Sequence, residues 1–238
     1  MAIRRILVDL ALAPLADPAA SGDVLLVITP DGVLKRQEIP PPMSSLTYGP
    51  GSHDLVVPPG VTSLQVEAQA PGGGAAGAGT TGTPGTAGTD GGNTEVLRAG
   101  VPLVRAFGGK GGRYNPPVGA RAGRGGFGGL GGISSRGADG LTATPWSGGA
   151  AGVSIVDPLR GQGGLITAEA SSGGGGAGAN NTVSLPGGGG EYITGQIPVT
   201  PGETLTLVVG AGGPGGAGST ATQQPGRSGG PGFLVLRW

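Results

Sequence analysis

The sequence contains no cysteine and a single histidine, His53. The first absence excludes disulfides, iron–sulfur clusters and thiolate zinc sites as devices for holding loops, and leaves the redox compartment undetermined. The second excludes a multi-histidine metal site and means that a histidine-based triad would have to be built on His53 alone. That residue precedes an early β-rich run and reads as an exposed or capping side chain. Charge is also scarce: 12% of residues are charged, about half of the roughly 25% of an ordinary globular domain. Fourteen basic residues cancel fourteen acidic ones, so the chain is neither a polyelectrolyte nor a typical nucleic-acid binder. Aromatic residues make up 3%, and no stretch approaches the ~20 apolar residues of a membrane helix. The opening MAIRRILVDLALAPLADPAA mimics a signal peptide, but Asp9 interrupts its apolar run, and the segment reads as structural.

What is abundant is glycine, 57 residues, with 22 prolines beside it. Such a composition without periodicity would mark disorder. Here β signals bracket the glycine-rich material. Residues 1–43 are poor in glycine, and DVLLVITPDGVLKRQEI (23–39) places two β-rich runs around a Pro-Asp-Gly turn, a small hairpin. The stiff IPPPM (39–43) then predicts a domain boundary near residue 43. From 44 onward, DLVVPPGVTSLQVEAQA (54–70) is strand, turn, strand, with apolar positions at Val61, Leu64, Val66 and Ala68. Hairpins are predicted about Ala99-Gly100 and about Pro201-Gly202, and GFLVLRW closes the set. Short strands at this spacing predict an all-β fold, an antiparallel β-sandwich over residues 44–238.

The glycine tracts between the strands have a phase. In GRGGFGGLGG (123–132) glycine recurs at 123, 126, 129 and 132 and again at 125, 128 and 131, leaving Arg124, Phe127 and Leu130 on the third position. GAGGPGGAG (210–218) repeats the pattern, and GTPGTAGTDG (82–91) keeps one glycine in three. A period of three belongs to the extended left-handed helix with three residues per turn, not to an α-helix or a strand. Such a helix makes no internal hydrogen bonds, so its buried amides must pair with neighbouring chains, which approach closely enough only where no side chain intervenes. The tracts are therefore expected to be polyglycine II helices packed side by side.

LTYGPGSHDLVVPPGVTSLQVEAQAPGGGAAGAG resembles the opening of the glycine-rich domain of bacteriophage tail-fibre and tail-tip proteins. GEYITGQIPVTPGETLTLVVGAGGPGGAG followed by GRSGGPGFLVLRW resembles its closing half, so the likeness covers roughly residues 45–238. Residues 1–43 are similar to short segments that trimerise or tether tail fibres. The resemblance implies a virion protein at the tail tip or fibre, a homotrimer, attached to other tail proteins through residues 1–43. It further implies binding to a polysaccharide, lipopolysaccharide or outer-membrane protein of the host during adsorption. The alternative is a non-adhesive tail or baseplate spacer. An ice-binding or cell-wall protein would need a longer and more regular threefold repeat.

Chemistry is expected to be absent: no catalytic residue, metal ligand set or cofactor site is read, and no nucleic-acid or membrane-inserting segment. GFGGLG (126–131) matches a dinucleotide fingerprint without the strand–helix unit that gives it meaning, and GGKGG (108–112) lacks the Ser or Thr that follows a P-loop lysine. A glycosidase needs two facing carboxylates, and between 107 and 165 only Asp139 and Asp157 are acidic. The same stretch carries Lys110, Arg113, Arg121, Arg124, Arg136 and Arg160, a local positive excess suited to an anionic partner. Tyr114 in RYNPP and Trp146 in ATPWS sit in proline-containing interruptions, where aromatic faces make sugar platforms. The candidate receptor-binding residues are Arg113, Tyr114, Asn115, Trp146, Asp157 and Arg160.

Overall fold

The computed structural model describes residues 24–28, 34–38, 44–79, 85–115, 119–121, 123–140, 185–220 and 223–238. Trp146, Asp157 and Arg160 lie outside them. The chain divides into two units, Met1–Met43 and Ser44–Trp238. In the first, β1 (Val24–Ile28) and β2 (Leu34–Glu38) pair antiparallel, from Val24 opposite Glu38 to Ile28 opposite Leu34.

The second unit is all-β, and among its described residues no helix occurs. Its first strands are β3 (Ser45–Tyr48), β4 (Gly51–Val56), β5 (Ser63–Gln69), β6 (Thr94–Arg98) and β7 (Val101–Ala106). The short β8 (Arg113–Asn115), β9 (Gly119–Arg121) and β10 (Ile133–Ser135) follow, and then β11 (Tyr192–Pro198), β12 (Thr204–Val209) and β13 (Phe233–Arg237). Two antiparallel sheets result, one ordered β10-β11-β5-β13-β3 and the other β4-β12-β6-β7, with β8 and β9 pairing separately.

Alternation decides which faces meet. Leu64, Val66 and Ala68 of β5, Ile193 and Ile197 of β11, and Leu234 and Leu236 of β13 share one core with Val96 of β6, Val104 and Ala106 of β7, and Leu205, Leu207 and Val209 of β12. Each of the larger side chains contributes about 1.5–3 kcal/mol by leaving water. Pro102 is tolerated in β7 because that strand is an edge and Pro102 sits beside a bulge at Leu103, the extra β7 residue between the pairs Leu97–Pro102 and Val96–Val104.

The turns obey their chemistry but not always the expected partners. Ala99 (φ 48°) and Gly100 (φ 80°) form the two-residue reversal joining β6 to β7, as the hairpin prediction required. The Pro201-Gly202 turn, predicted to close a hairpin, instead carries the chain from β11 in one sheet to β12 in the other. Pro58-Pro59-Gly60 does the same between β4 and β5. The two corners lie together: Val57 N donates to Glu203 O, Gly202 N to Val57 O and Val199 N to Thr62 O. β4 pairs with β12 in one sheet while β5 pairs with β11 in the other, so a two-stranded ribbon folds over from sheet to sheet. Glu203 pins this bend by accepting from Arg98 (2.8 Å) and from Thr200 N (3.0 Å).

The glycine tracts are bonded to one another through their backbones. Along 72–78, successive N–H groups donate to Gly230, Gly188, Thr89, Arg227, Leu185, Thr86 and Gln224, all at 2.8–3.0 Å. The target returns to the same neighbouring segment at every third residue, each time three residues earlier in that segment. The carbonyls of the stretch behave alike: Pro71 and Gly74 accept from Gly109 and Gly112, while Gly72, Ala75 and Ala78 accept from Gly213, Gly216 and Ser219. The segments touch backbone to backbone. A Cβ on Gly74 would lie 2.0 Å from Pro214 O, and one on Gly187 2.0 Å from Gly73 O.

Candidate functional site

A cluster of charged side chains lies where the chain enters β6 and leaves β7. Asp90, in the tract before β6, receives three donors from the tract after β7: Gly111 N at 2.8 Å, Lys110 Nζ at 3.0 Å and Arg113 Nη2 at 3.3 Å. Partial burial pushes the Asp90 carboxyl upward, but the Gly111 and Lys110 hydrogen bonds and the charges of Lys110 and Arg113 outweigh it and hold the group below the usual aspartate range. A carboxyl with a depressed folded-state pKa stabilises the fold at pH values above its unfolded-state pKa, and that contribution is lost as pH falls through the folded-state value. The stability difference between the wild-type protein and Asp90→Asn is therefore expected to be constant at neutral pH and to shrink below about pH 4. Thermal melts of both proteins between pH 3 and 7 check this; a difference that does not change with pH contradicts it.

Next to Asp90 a cleft of about 250 Å³ opens between three segments. Its polar and aromatic wall is Asn93, Phe107, Lys110, Arg124 and Phe127, and its floor is backbone of Gly91, Gly108, Gly125 and Gly126. Phe127 is 61% exposed, with the Arg136 guanidinium 5.3 Å from its ring centroid. Arg136 also pairs with Asp139 at 2.7 Å, and Asp139 accepts from Gly125 N at 2.8 Å, which ties the Phe127 tract to the segment that follows β10. Asn93 is held by long contacts to Glu95 (3.3 Å) and Gly108 N (3.4 Å), and Glu95 is bound by Arg105 at 2.7 Å. Arg124 is exposed and makes no ion pair among the described residues.

The cleft is anchored from beneath by Glu191, a fully buried residue at the entry to β11. Its carboxylate accepts from Phe107 N at 3.1 Å and, through both oxygens, from Gly129 N at 3.0 Å. One side chain thus fixes the backbone at Phe107 and two residues beyond Phe127. These bonds also use up amides of the fingerprint-like 126–131: Gly126 N goes to Gly189 O, Gly129 N to Glu191 and Leu130 N to Arg105 O. Three of the six amides in this stretch are thus committed within the protein.

Of the sequence-predicted site residues, Arg113, Tyr114 and Asn115 form β8, opposite Arg121, Ala120 and Gly119 of β9. Tyr114 therefore lies in a strand, contrary to the expectation of an interruption, because the run on either side of Pro116-Pro117 pairs with itself. The Arg113 side chain is 62% exposed and shares Asp90 with Lys110. The positive excess read over 107–165 is smaller by one charge in space than in sequence: Asp90, outside that window, lies between Lys110 and Arg113, while the Arg136–Asp139 pair falls within it. Asp139 accepts from Arg136 and Gly125 N, and among the described residues no three His, Cys, Asp or Glu side chains cluster. His53 lies within β4, where its Nε2 bonds Gly49 O at 3.0 Å and its ring lies 5.2 Å from that of Tyr48.

Asn93, Phe107 and Glu191 were not singled out from sequence. For Glu191 a signal existed, a lone acid between GGGG and an apolar strand. No protein-family model matches the chain, and no curated protein is significantly similar to it.

Proposed function

We propose that the chain is a bacteriophage tail-tip or tail-fibre adhesin, which binds a host bacterial surface receptor during adsorption without altering it chemically. Residues 44–238 form a β-sandwich carrying packed polyglycine II helices, and residues 1–43 are a β-hairpin attachment segment in a trimeric virion component. The observation that supports this reading most is the rotation of hydrogen-bond partners along 72–78, which returns every third residue. A three-residue turn directs successive amides at three neighbours about 120° apart, whereas a strand would direct them at two.

Such a block suits recognition. Every amide of 72–78 is committed to a neighbour, so side chains carried at the margin of the block are held in place before a ligand arrives, and less ordering entropy is lost on binding. The Asp90 cluster, the cleft and β8–β9 lie at that margin. The expected result is saturable binding of the labelled, full-length protein to intact cells of a susceptible bacterium, with solution mass measurement giving three chain masses. A protein that binds no bacterium from a broad Gram-negative panel would be a spacer rather than an adhesin.

A further inference from the structure

We infer that the cleft between Phe107 and Phe127 is a binding site for a single anionic sugar unit, a uronic acid or a phosphorylated hexose, with Arg124 receiving the anionic group. The inference deepens the adhesin reading and rests on it for its biological setting.

Three features of the cleft select this ligand. Its volume of about 250 Å³ falls just below the ~300–1,000 Å³ of sites for drug-sized molecules, enough for one ring and its substituent. Its wall offers two aromatic side chains from different tracts, Phe107 and Phe127. The C–H face of a pyranose packs against such rings, and Phe127 is sufficiently exposed to receive it.

The third feature is charge. Arg105 and Arg136 each have a carboxylate partner at 2.7 Å, and Lys110 is held 3.0 Å from Asp90, which it shares with Arg113. Arg124 alone among the cleft's cations makes no ion pair with the described residues. An uncompensated guanidinium beside apolar rings lacks an acceptor that a carboxylate or phosphate supplies in its bidentate geometry. Asn93 and Lys110 stand on the same wall to reach ring hydroxyls. A polynucleotide fits less well, because the neutral chain has no cationic track to follow a backbone.

The test titrates the full chain by saturation-transfer and chemical-shift NMR with D-glucuronate, α-D-glucose 1-phosphate, D-glucose, inorganic phosphate and a short oligothymidylate. Both anionic sugars are expected to bind about tenfold or more tightly than glucose. Arg124→Gln, at an exposed position, should erase that preference with the melting temperature unchanged. Phe127→Ala should weaken all three sugars together. The ratio of glucuronate to glucose 1-phosphate affinity identifies which anionic group the site takes.

Equal binding of glucose and the anionic sugars, or full affinity in Arg124→Gln, overturns the inference. So does phosphate binding as tightly as glucose 1-phosphate, which would leave an anion site without a sugar platform, or oligothymidylate binding more tightly than the sugars. Absence of any binding overturns it as well. Cell binding by wild-type and Arg124→Gln protein separates this from failure of the adhesin reading. Bacteria bound equally by both, with no sugar bound, sink the cleft and keep the adhesin; sugar bound and no bacterium bound does the reverse.

Discussion

Gly187→Ala is expected to lower the melting temperature of the protein by about 6–12 °C. The added methyl would sit 2.0 Å from Gly73 O and 2.6 Å from Gly73 C, well inside van der Waals contact. No flexible side chain can move aside, because the obstacle is the backbone of a neighbouring tract. Relief requires the segments to separate, which lengthens bonds such as Gly73 N to Gly188 O at 2.9 Å and Gly123 N to Pro186 O at 2.8 Å. Overpacking against backbone lies at the upper end of the usual cost, about 3 kcal/mol, and in a domain of this size each kcal/mol moves the transition by roughly 2–4 °C. Gly49→Ala is the matched control, since a Cβ there meets nothing within 4 Å and its backbone is not left-handed. It should change stability by less than about 0.5 kcal/mol. Two indistinguishable melts would mean that the tracts are not in backbone contact, and the packed-block account would fail with them.

The second large effect is expected at Glu191. Glu191→Ala removes the acceptor for the Phe107 and Gly129 amides and leaves both without a partner beneath the block. A buried donor stripped of a charged acceptor costs about 1–3 kcal/mol, and the vacated volume adds to this. A total near 3–5 kcal/mol follows. Glu191→Gln keeps the shape and one carbonyl acceptor, and should recover at least half of the loss in chemical denaturation. Because Glu191 joins the backbones that carry Phe107 and Phe127, Glu191→Gln should also weaken sugar binding in the cleft, although the residue does not touch it. If Glu191→Ala melts like the wild type, the clasp is not structural.

These effects indicate which features were readable in advance. Strand β5 was legible because Leu64, Val66 and Ala68 alternate inward while Gln65 stays exposed. The Ala99-Gly100 reversal was legible because a two-residue turn with left-handed backbone fixes a local hairpin. Pro201-Gly202 misled because turn chemistry reports that the chain bends, not which sheet receives it; β12 lies between β6 and β4, the latter some 150 residues away by Thr206 opposite Asp54. The threefold phase of the glycines was visible, and so was the exposed third position at Phe127. The cleft was not, because its wall joins residues from three tracts. Asp90 likewise meets Lys110 and Arg113 only through the packing of tracts, so a charge count confined to one window overstated the field.

The partners of the 71–78 tract also constrain the order in which the chain can fold. That segment bonds to 86–89, 109–112, 185–188, 213–219 and 224–230, so its neighbours are drawn from most of the second unit. Loop closure over such separations precedes any reward from the bonds themselves, and topologies dominated by distant contacts fold slowly. Synthesis from the N-terminus delivers the centre of the block long before its last neighbour. The amides of Gly72, Ala75 and Ala78 must therefore wait on water until residues 224–230 have left the ribosome.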